Sequence, residues 1–249
     1  MPYRVDRFTV KTYDCRPNGQ IKLNALMQYM QEAAARHAEQ LGFGFADLNA
    51  RDCFWVLVNS CLELTRTPKW REDITIRTWP STSTRIIASR EFIGKGPQGE
   101  SFRATSDWMI LDRHSGRPKN LSRLDLDLPP AGPKALPEES NRLQPVKDYE
   151  KACSLRVPFS ALDFNGHVNN TEYVRWALDG MYRKLGRLPE IRALQATYLA
   201  EVFEGDDIEV LVSTDTDTGI HTLTRRLGDS PGTDVFLMKA DCRTSPEAE

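Results

Sequence analysis

The sequence contains no long apolar run of the kind that crosses a membrane or directs a chain to secretion. Its N-terminus carries charges at Arg4, Asp6 and Arg7, and no hydrophobic segment follows them. We therefore expect a cytoplasmic protein without a membrane span. The formal net charge is only −2 at pH 7, so the surface as a whole gives no reason to expect a nucleic-acid partner.

Paired cysteines are absent as well. The chain has an odd number of cysteines, and no two of them form a C-x-x-C pair; they are Cys15, Cys53, Cys61, Cys153 and Cys242. This pattern argues against both a disulfide framework and a zinc site. We expect five buried thiols.

Proline is unevenly distributed. Five of the 15 prolines fall between Pro129 and Pro145, where neither a helix nor a central strand can be sustained. We interpret residues 128–146 as a linker that runs over the surface. It divides the 249 residues into 1–127 and 147–249, each long enough to bury a core of its own.

The two halves share an order of elements. In each, the pattern of apolar residues predicts one strand, one long helix and four further strands. The first half gives a strand at 4–12, a helix at 22–41 and strands near 54–66, 72–80, 84–94 and 101–112. The second gives a strand at 152–159, a helix at 169–184 and strands near 192–203, 207–214, 219–228 and 234–243.

A repeated strand–helix–four-strand unit predicts an α+β fold, with an antiparallel sheet wrapped around a central helix in each half. The turns before the helices also correspond. Tyr13-Asp14 and Gly19-Gln20-Ile21 in the first half match Leu162-Asp163 and Gly166-His167-Val168 in the second.

The stretch 163–170 concentrates polar side chains at the entry to the second helix. Asp163 and Asn165 are hydrogen-bond acceptors, and Gly166 permits a tight turn. Backbone N–H groups at a helix start can bind a developing oxyanion. The alternative is a plain turn and cap with a structural His167. The first half has Gln20 where His167 stands and no Asn-Asn pair, which favours a functional role for the second copy.

The motif Asp-x-Asn-Gly-His-Val-Asn-Asn-x-x-Tyr-Val-x-Trp, at 163–176, resembles the helix-entry motif of the plant and bacterial acyl-ACP thioesterases, which have two tandem hotdog repeats. The first half carries further features similar to that family: Gln31-Glu32-Ala33-Ala34, Leu41-Gly42, Trp55-Val56-Leu57, Thr78-Trp79-Pro80 and Trp108-Met109-Ile110-Leu111-Asp112. The resemblance covers about 1–243. It implies an enzyme that hydrolyses fatty acyl groups from acyl carrier protein.

The resemblance implies that Asp163, Asn165 and His167 are catalytic, assisted by an acid on the following strand. Glu201 and Glu204 are the candidates, and we prefer Glu201 because it lies within the predicted strand. Plant members carry a Glu-Cys-Gly run here, whereas this chain has Val202 after Glu201. A cysteine nucleophile is therefore hard to build, and we expect direct attack by water without a metal or organic cofactor.

In this hypothesis a backbone N–H at Gly166–Val168 polarises the thioester carbonyl, and Glu201 or His167 takes a proton from water. Asn165 holds the carbonyl or the water, and Asp163 orients the Asn-His pair. The other substrate-binding residues are expected to be Val168 and Asn169 at the helix entry and, in the first half, an apolar slot for the acyl chain that includes Met27, Met30, Phe54, Trp55 and Leu57. The alternative for the apolar set is ordinary core.

Acyl carrier protein is acidic, so its docking surface should be basic. Four cations that follow the second helix are candidates: Arg183, Lys184, Arg187 and Arg192. The alternative is that they complement the helix dipole.

Three other functions stay open: an acyl-CoA thioesterase of the same fold, a hotdog dehydratase and a non-catalytic acyl-binding protein. A homodimer stays open too.

Overall fold

The computed structural model describes residues 2–124, 130–137, 141–215, 219–228 and 231–243. The chain forms two compact units, Met1–Ser140 and Asn141–Glu249. The sequence-based division into 1–127, a linker at 128–146 and 147–249 stays a prediction, and part of that linker (128–129 and 138–140) lies outside the described residues. No helix in the described residues is long and apolar enough to span a membrane.

The first unit is an antiparallel sheet of five strands with one long helix. Its elements are β1 (Arg4–Thr9), α1 (Leu23–Gln40), a short helix α2 (Phe45–Asn49), β2 (Cys53–Leu64), β3 (Asp73–Ser83), β4 (Ile87–Gly96) and β5 (Gly99–Asp112). The strand order is β1-β3-β4-β5-β2. Helix α1 packs on β3 and β1. Leu26 and Met30 on its inner face are buried, as are Ile74 and Ile76 on β3.

The second unit repeats this arrangement. Its elements are β6 (Glu150–Arg156), α3 (Asn170–Leu185), β7 (Ile191–Tyr198), β8 (Asp207–Asp215), β9 (Gly219–Arg226) and β10 (Thr233–Cys242). The strand order, β6-β8-β9-β10-β7, matches the first unit strand for strand. Helix α3 approaches the sheet closely at Gly180, where an added Cβ would lie 2.6 Å from Cγ1 of Val210. The predicted α+β architecture with a central helix is confirmed.

The strand predicted at 192–203 ends earlier, at Tyr198. The N–H groups of Leu199 and Ala200 both donate to the carbonyl of Val235, at 2.9 and 3.3 Å, so the regular ladder stops there. Glu201 therefore lies in the loop after β7. Its predicted place inside a strand was wrong.

The turn before each helix has the same backbone frame. Isolated bridges join Cys15 to Ile21 and Leu162 to Val168. The N–H of Arg16 donates to the carbonyl of Gln20 at 2.8 Å, and that of Asp163 donates to the carbonyl of His167 at 2.7 Å. Arg16 is thus the counterpart of Asp163. Our pairing of Asp14 with Asp163 was wrong, although Gln20 and His167 do correspond.

The loops after β2 and β7 also correspond. The N–H groups of Thr65 and Arg66 donate to the carbonyl of Ser101, just as those of Leu199 and Ala200 donate to Val235. By this register Thr67 occupies the place of Glu201.

Residues 130–137 of the proline-rich segment pack on the first sheet. The indole of Trp79 donates to the carbonyl of Pro133 at 2.8 Å, and the N–H of Ala135 donates to a carboxylate oxygen of Glu91 at 3.0 Å. Glu91 is fully buried, and its other donors are the hydroxyls of Ser81 and Thr105, each at 2.6 Å. Residues 130–137 therefore belong to the first unit.

Candidate active site

The polar turn of the second unit is organised by Asp163. One of its carboxylate oxygens accepts the backbone N–H of Asn165 at 2.8 Å and that of His167 at 3.2 Å. Gly166 has a φ of 79°, a conformation that glycine adopts without strain, and its N–H donates to the carbonyl of Asp163 at 3.0 Å. Asp163 therefore orients Asn165 and His167 through their backbones.

Helix α3 begins after this turn, at Asn170. Asn169 is its N-cap, and the side-chain oxygen of Asn169 accepts the N–H of Thr171 at 3.0 Å. The N–H groups of Gly166 and His167 already donate to Asp163. We expected free helix-start donors at Gly166–Val168, and for Gly166 and His167 that was wrong, because the turn closes on Asp163 before the helix begins.

The loop after β7 brings an acid to the histidine. Nδ1 of His167 lies 3.6 Å from a carboxylate oxygen of Glu201, and the two side chains are 30% and 45% exposed. This distance is slightly longer than a direct hydrogen bond, and such pairs commonly tighten when substrate binds. The pair lies where solvent and a substrate can reach it.

Two contacts fix the loop that carries Glu201. The hydroxyl of Tyr173 on α3 accepts the N–H of Val202 at 3.1 Å, and Arg226 donates to the carbonyl of Glu201 at 3.3 Å. Burial raises the pKa of the Tyr173 hydroxyl, so the group stays protonated. We did not single out Tyr173 from the sequence, although it stands within the quoted motif.

The amide oxygen of Asn165 is buried, and no described residue donates a hydrogen bond to it. A buried acceptor without a partner is costly, so we expect a bound water or substrate group to satisfy this oxygen. Glu204, the other candidate acid, is exposed in the turn beside Gly205. Of the two acids, Glu201 is the one in ion-pair range of His167.

Burial disfavours the thiolate at four of the five cysteines. All five are free; Cys53 is buried and the other four are half-buried, so they are more exposed than we expected. Burial raises the pKa of Cys15, Cys53, Cys153 and Cys242, which disfavours the reactive thiolate. Among the described residues, no group of His, Cys, Asp and Glu side chains is placed to hold a metal ion.

The residues predicted to line the acyl slot are spread over the first unit. Met27 and Met30 are buried on the inner face of α1, and Leu57 is buried on β2. Trp55 packs on a separate cluster around Leu48, Cys53, Ile110 and Leu121. Phe54 adjoins Trp55 on the strand and therefore faces the opposite side. The five side chains do not share one surface, and the slot stays a prediction.

The four predicted docking cations lie at the other end of α3 from the turn. With a rise of about 1.5 Å per residue, the 16 residues of this helix span about 24 Å. Lys184 is ion-paired with Glu150, and Arg192 lies 3.9 Å from Asp241. Arg183 and Arg187 complete the set at the helix C-terminus. Its docking role stays a prediction.

The comparisons with known proteins agree along the chain. Residues 3–123 match the N-terminal domain model of acyl-ACP thioesterases, and residues 145–239 match the C-terminal domain model. Oleoyl-acyl carrier protein thioesterase 1, chloroplastic, from Arabidopsis thaliana is 28% identical over 86% of this chain and 64% of its own length. Palmitoyl-acyl carrier protein thioesterase, chloroplastic, from Gossypium hirsutum is 26% identical over 78% of this chain and 51% of its own length. The chain thus spans less than two thirds of these curated relatives.

Solved structures share the fold. An acyl-ACP thioesterase from Bacteroides thetaiotaomicron has a TM-score of 0.83 at 23% identity, covering 97% of this chain and 98% of that one. The 12:0-ACP thioesterase from Umbellularia californica has a TM-score of 0.81 at 21% identity, covering 98% of each chain. The predicted pair of tandem hotdog repeats is confirmed. With both domain models matched in order, the chain belongs to the acyl-ACP thioesterase family.

Proposed function

We propose that this protein hydrolyses fatty acyl-[acyl carrier protein] to a free fatty acid and the carrier protein. The observation that carries the proposal is the distance of 3.6 Å between His167 and Glu201, on a turn that also carries Asn165, whose amide oxygen receives no hydrogen bond from the described residues. An imidazole, a carboxylate and a hydrogen-bond acceptor are the groups that activate and hold a water molecule.

In the proposed reaction the amide oxygen of Asn165 accepts a hydrogen bond from the attacking water. The Glu201–His167 pair takes a proton from that water as its oxygen attacks the thioester carbon. The tetrahedral intermediate then collapses, the carbon–sulfur bond breaks, and the proton passes from the pair to the departing thiolate. General-base catalysis of this kind contributes a factor of about 10²–10⁴ in rate.

No step uses a cofactor. The raised pKa of the Cys153 and Cys242 thiols supports water rather than cysteine as the nucleophile. In this proposal the acyl chain occupies an apolar slot in the first repeat near Met27, Met30 and Leu57, which are buried side chains. The cytoplasmic location stays a prediction, because the curated relatives above are named as chloroplastic.

The test is an assay of free fatty acid released from matched panels of acyl-ACP and acyl-CoA thioesters. We expect a higher kcat/KM for the carrier-linked substrates. Equal or faster turnover of the CoA thioesters would instead identify an acyl-CoA thioesterase. Absence of hydrolysis on every thioester would leave a dehydratase or an acyl-binding protein, separable by assaying 3-hydroxyacyl dehydration.

A further inference from the structure

The two repeats carry opposite charge at the same place in the fold. In the first repeat, the helix-entry turn and the loop after β2 (segments 11–22 and 66–72) contain six Lys or Arg residues and two acids. The corresponding segments of the second repeat, 158–169 and 200–206, contain four acids and no Lys or Arg. The corner that is catalytic in one repeat is thus cationic in the other.

The two cationic segments form one continuous surface. The N–H of Ile21 donates to the carbonyl of Pro68, and that of Trp70 donates to the carbonyl of Gly19, both at 2.9 Å. The ammonium of Lys22 donates to the carbonyl of Tyr13 at 2.8 Å. The first two bonds join the turn to the loop, so the two segments form one surface.

The acids of these segments do not offset the patch. Asp14 is buried and accepts the hydroxyl of Tyr29, while Glu72 is ion-paired with Arg66. The remaining cations form what we call the basic corner: Lys11, Arg16, Lys22, Lys69 and Arg71. Their counterparts in the second repeat are Pro158, Asp163, Asn169, Phe203 and Gly205.

Two exposed aromatic rings accompany the basic corner. Tyr13 is 77% exposed and Trp70 is 47% exposed. The guanidinium of Arg71 lies 4.2 Å from the centroid of the Trp70 ring. Exposed Tyr, Trp and Arg side chains are the residue types enriched at the centres of protein–protein interfaces.

We propose that the basic corner is the surface on which the acidic acyl carrier protein docks. Its cations complement an acidic partner, and its aromatic side chains supply apolar contact area. It lies on two joined loops rather than along the polar face of an amphipathic helix, which favours a folded protein over a membrane surface. The identity of the partner rests on the proposed function. Of the four cations after α3, Lys184 and Arg192 are paired with acids.

The test compares two double variants that reverse the same amount of charge. One combines Lys69→Glu and Arg71→Glu, and the other combines Arg183→Glu and Arg187→Glu. For the first pair we expect KM for acyl-ACP to rise about tenfold at low salt, with KM for acyl-CoA unchanged, and the difference to shrink at high salt. The Arg183 and Arg187 pair is expected to change neither KM. Thermal unfolding of each variant verifies the fold. If the charge-reversed Lys69 and Arg71 variant folds poorly, the neutral double variant Lys69→Gln with Arg71→Gln replaces it and should give a smaller rise in KM for acyl-ACP.

Binding of a carrier protein with an amide-linked acyl chain separates docking from hydrolysis, since it needs no turnover. Weaker binding by the Lys69 and Arg71 variant supports the basic corner even if the wild type hydrolyses no thioester. Unchanged binding and unchanged KM would overturn the proposal, as would a KM effect confined to the Arg183 and Arg187 pair. A variant that loses binding to phosphatidylglycerol vesicles but keeps full affinity for the carrier would assign the surface to a membrane instead.

Discussion

The helix-entry corners of the two repeats have the same backbone arrangement, but they differ in how the turn and the neighbouring loop are joined. In the first repeat the turn and the neighbouring loop are joined by main-chain hydrogen bonds from Ile21 and Trp70. In the second, the side chains of His167 and Glu201 face each other across the same two segments. A duplicated frame therefore supports two loops joined through their main chains in one copy and a histidine–carboxylate pair in the other.

The two repeats also differ in whether the helix makes a hydrogen bond to the loop after β2 or β7. In the second repeat the N–H of Val202 donates to the hydroxyl of Tyr173. The counterparts in the first repeat are Pro68, which has no N–H to satisfy, and Leu26, which has no hydroxyl to offer. Donor and acceptor are present together in one repeat and missing together in the other. This teaches that the loop bearing Glu201 is held by a bond specific to the copy that carries His167 and Glu201.

The largest expected effect comes from replacing the histidine or the acid of the second corner, and His167→Gln also gives that position the side chain of the first repeat. His167→Gln and Glu201→Gln should each lower kcat by a factor of about 10²–10⁴, because the pair that accepts the proton of water is lost. The matched control is Gln20→His, for which kcat should stay unchanged. Steady-state release of fatty acid from acyl-ACP measures both. Normal turnover by His167→Gln would show that the two corners do not differ in catalysis.

The helices offer a second comparison, at the position where Gly180 of α3 approaches its sheet. Gly180 on α3 stands where Ala33 stands on α1. Gly180→Ala should destabilise the protein by about 1–3 kcal/mol, since the new Cβ would overlap Val210, whereas Ala33→Gly should cost about 1 kcal/mol through helix propensity. Urea unfolding measures both changes. A neutral Gly180→Ala would contradict the closer approach of α3.

The smallest effect is expected from removing the hydrogen bond between Tyr173 and the loop that carries Glu201. Tyr173→Phe leaves the N–H of Val202 without its acceptor, worth about 1 kcal/mol, so kcat should fall about fivefold while KM is retained. Tyr182→Phe, on an exposed side chain of the same helix, is the control. Faster amide exchange at Val202 should accompany the loss in Tyr173→Phe only. A fall in stability with kcat intact would assign Tyr173 to the core alone.

The sequence was sufficient to predict the order of the strands and the two long helices, because strand and helix periodicities are local properties; the short helix α2 was not predicted. The polar turn was also predictable, since Asp163 and Gly166 determine its shape within a few residues. The end of β7 was not, because it depends on Val235, more than thirty residues away on β10. The counterpart of Asp163 was missed for a related reason: Arg16 shares its backbone position but none of its chemistry. Only the hydrogen-bond register reveals that equivalence.

The buried carboxylate of Glu91 has a consequence for where the first repeat can be cut. Three donors satisfy it, and one of them is the N–H of Ala135, which lies beyond the last strand of the repeat. A fragment that stops before residue 128 would retain all five strands and yet leave the buried carboxyl group of Glu91 without one of its three donors. The smallest autonomous version of this repeat therefore has to extend past the final strand and include the segment that supplies that amide.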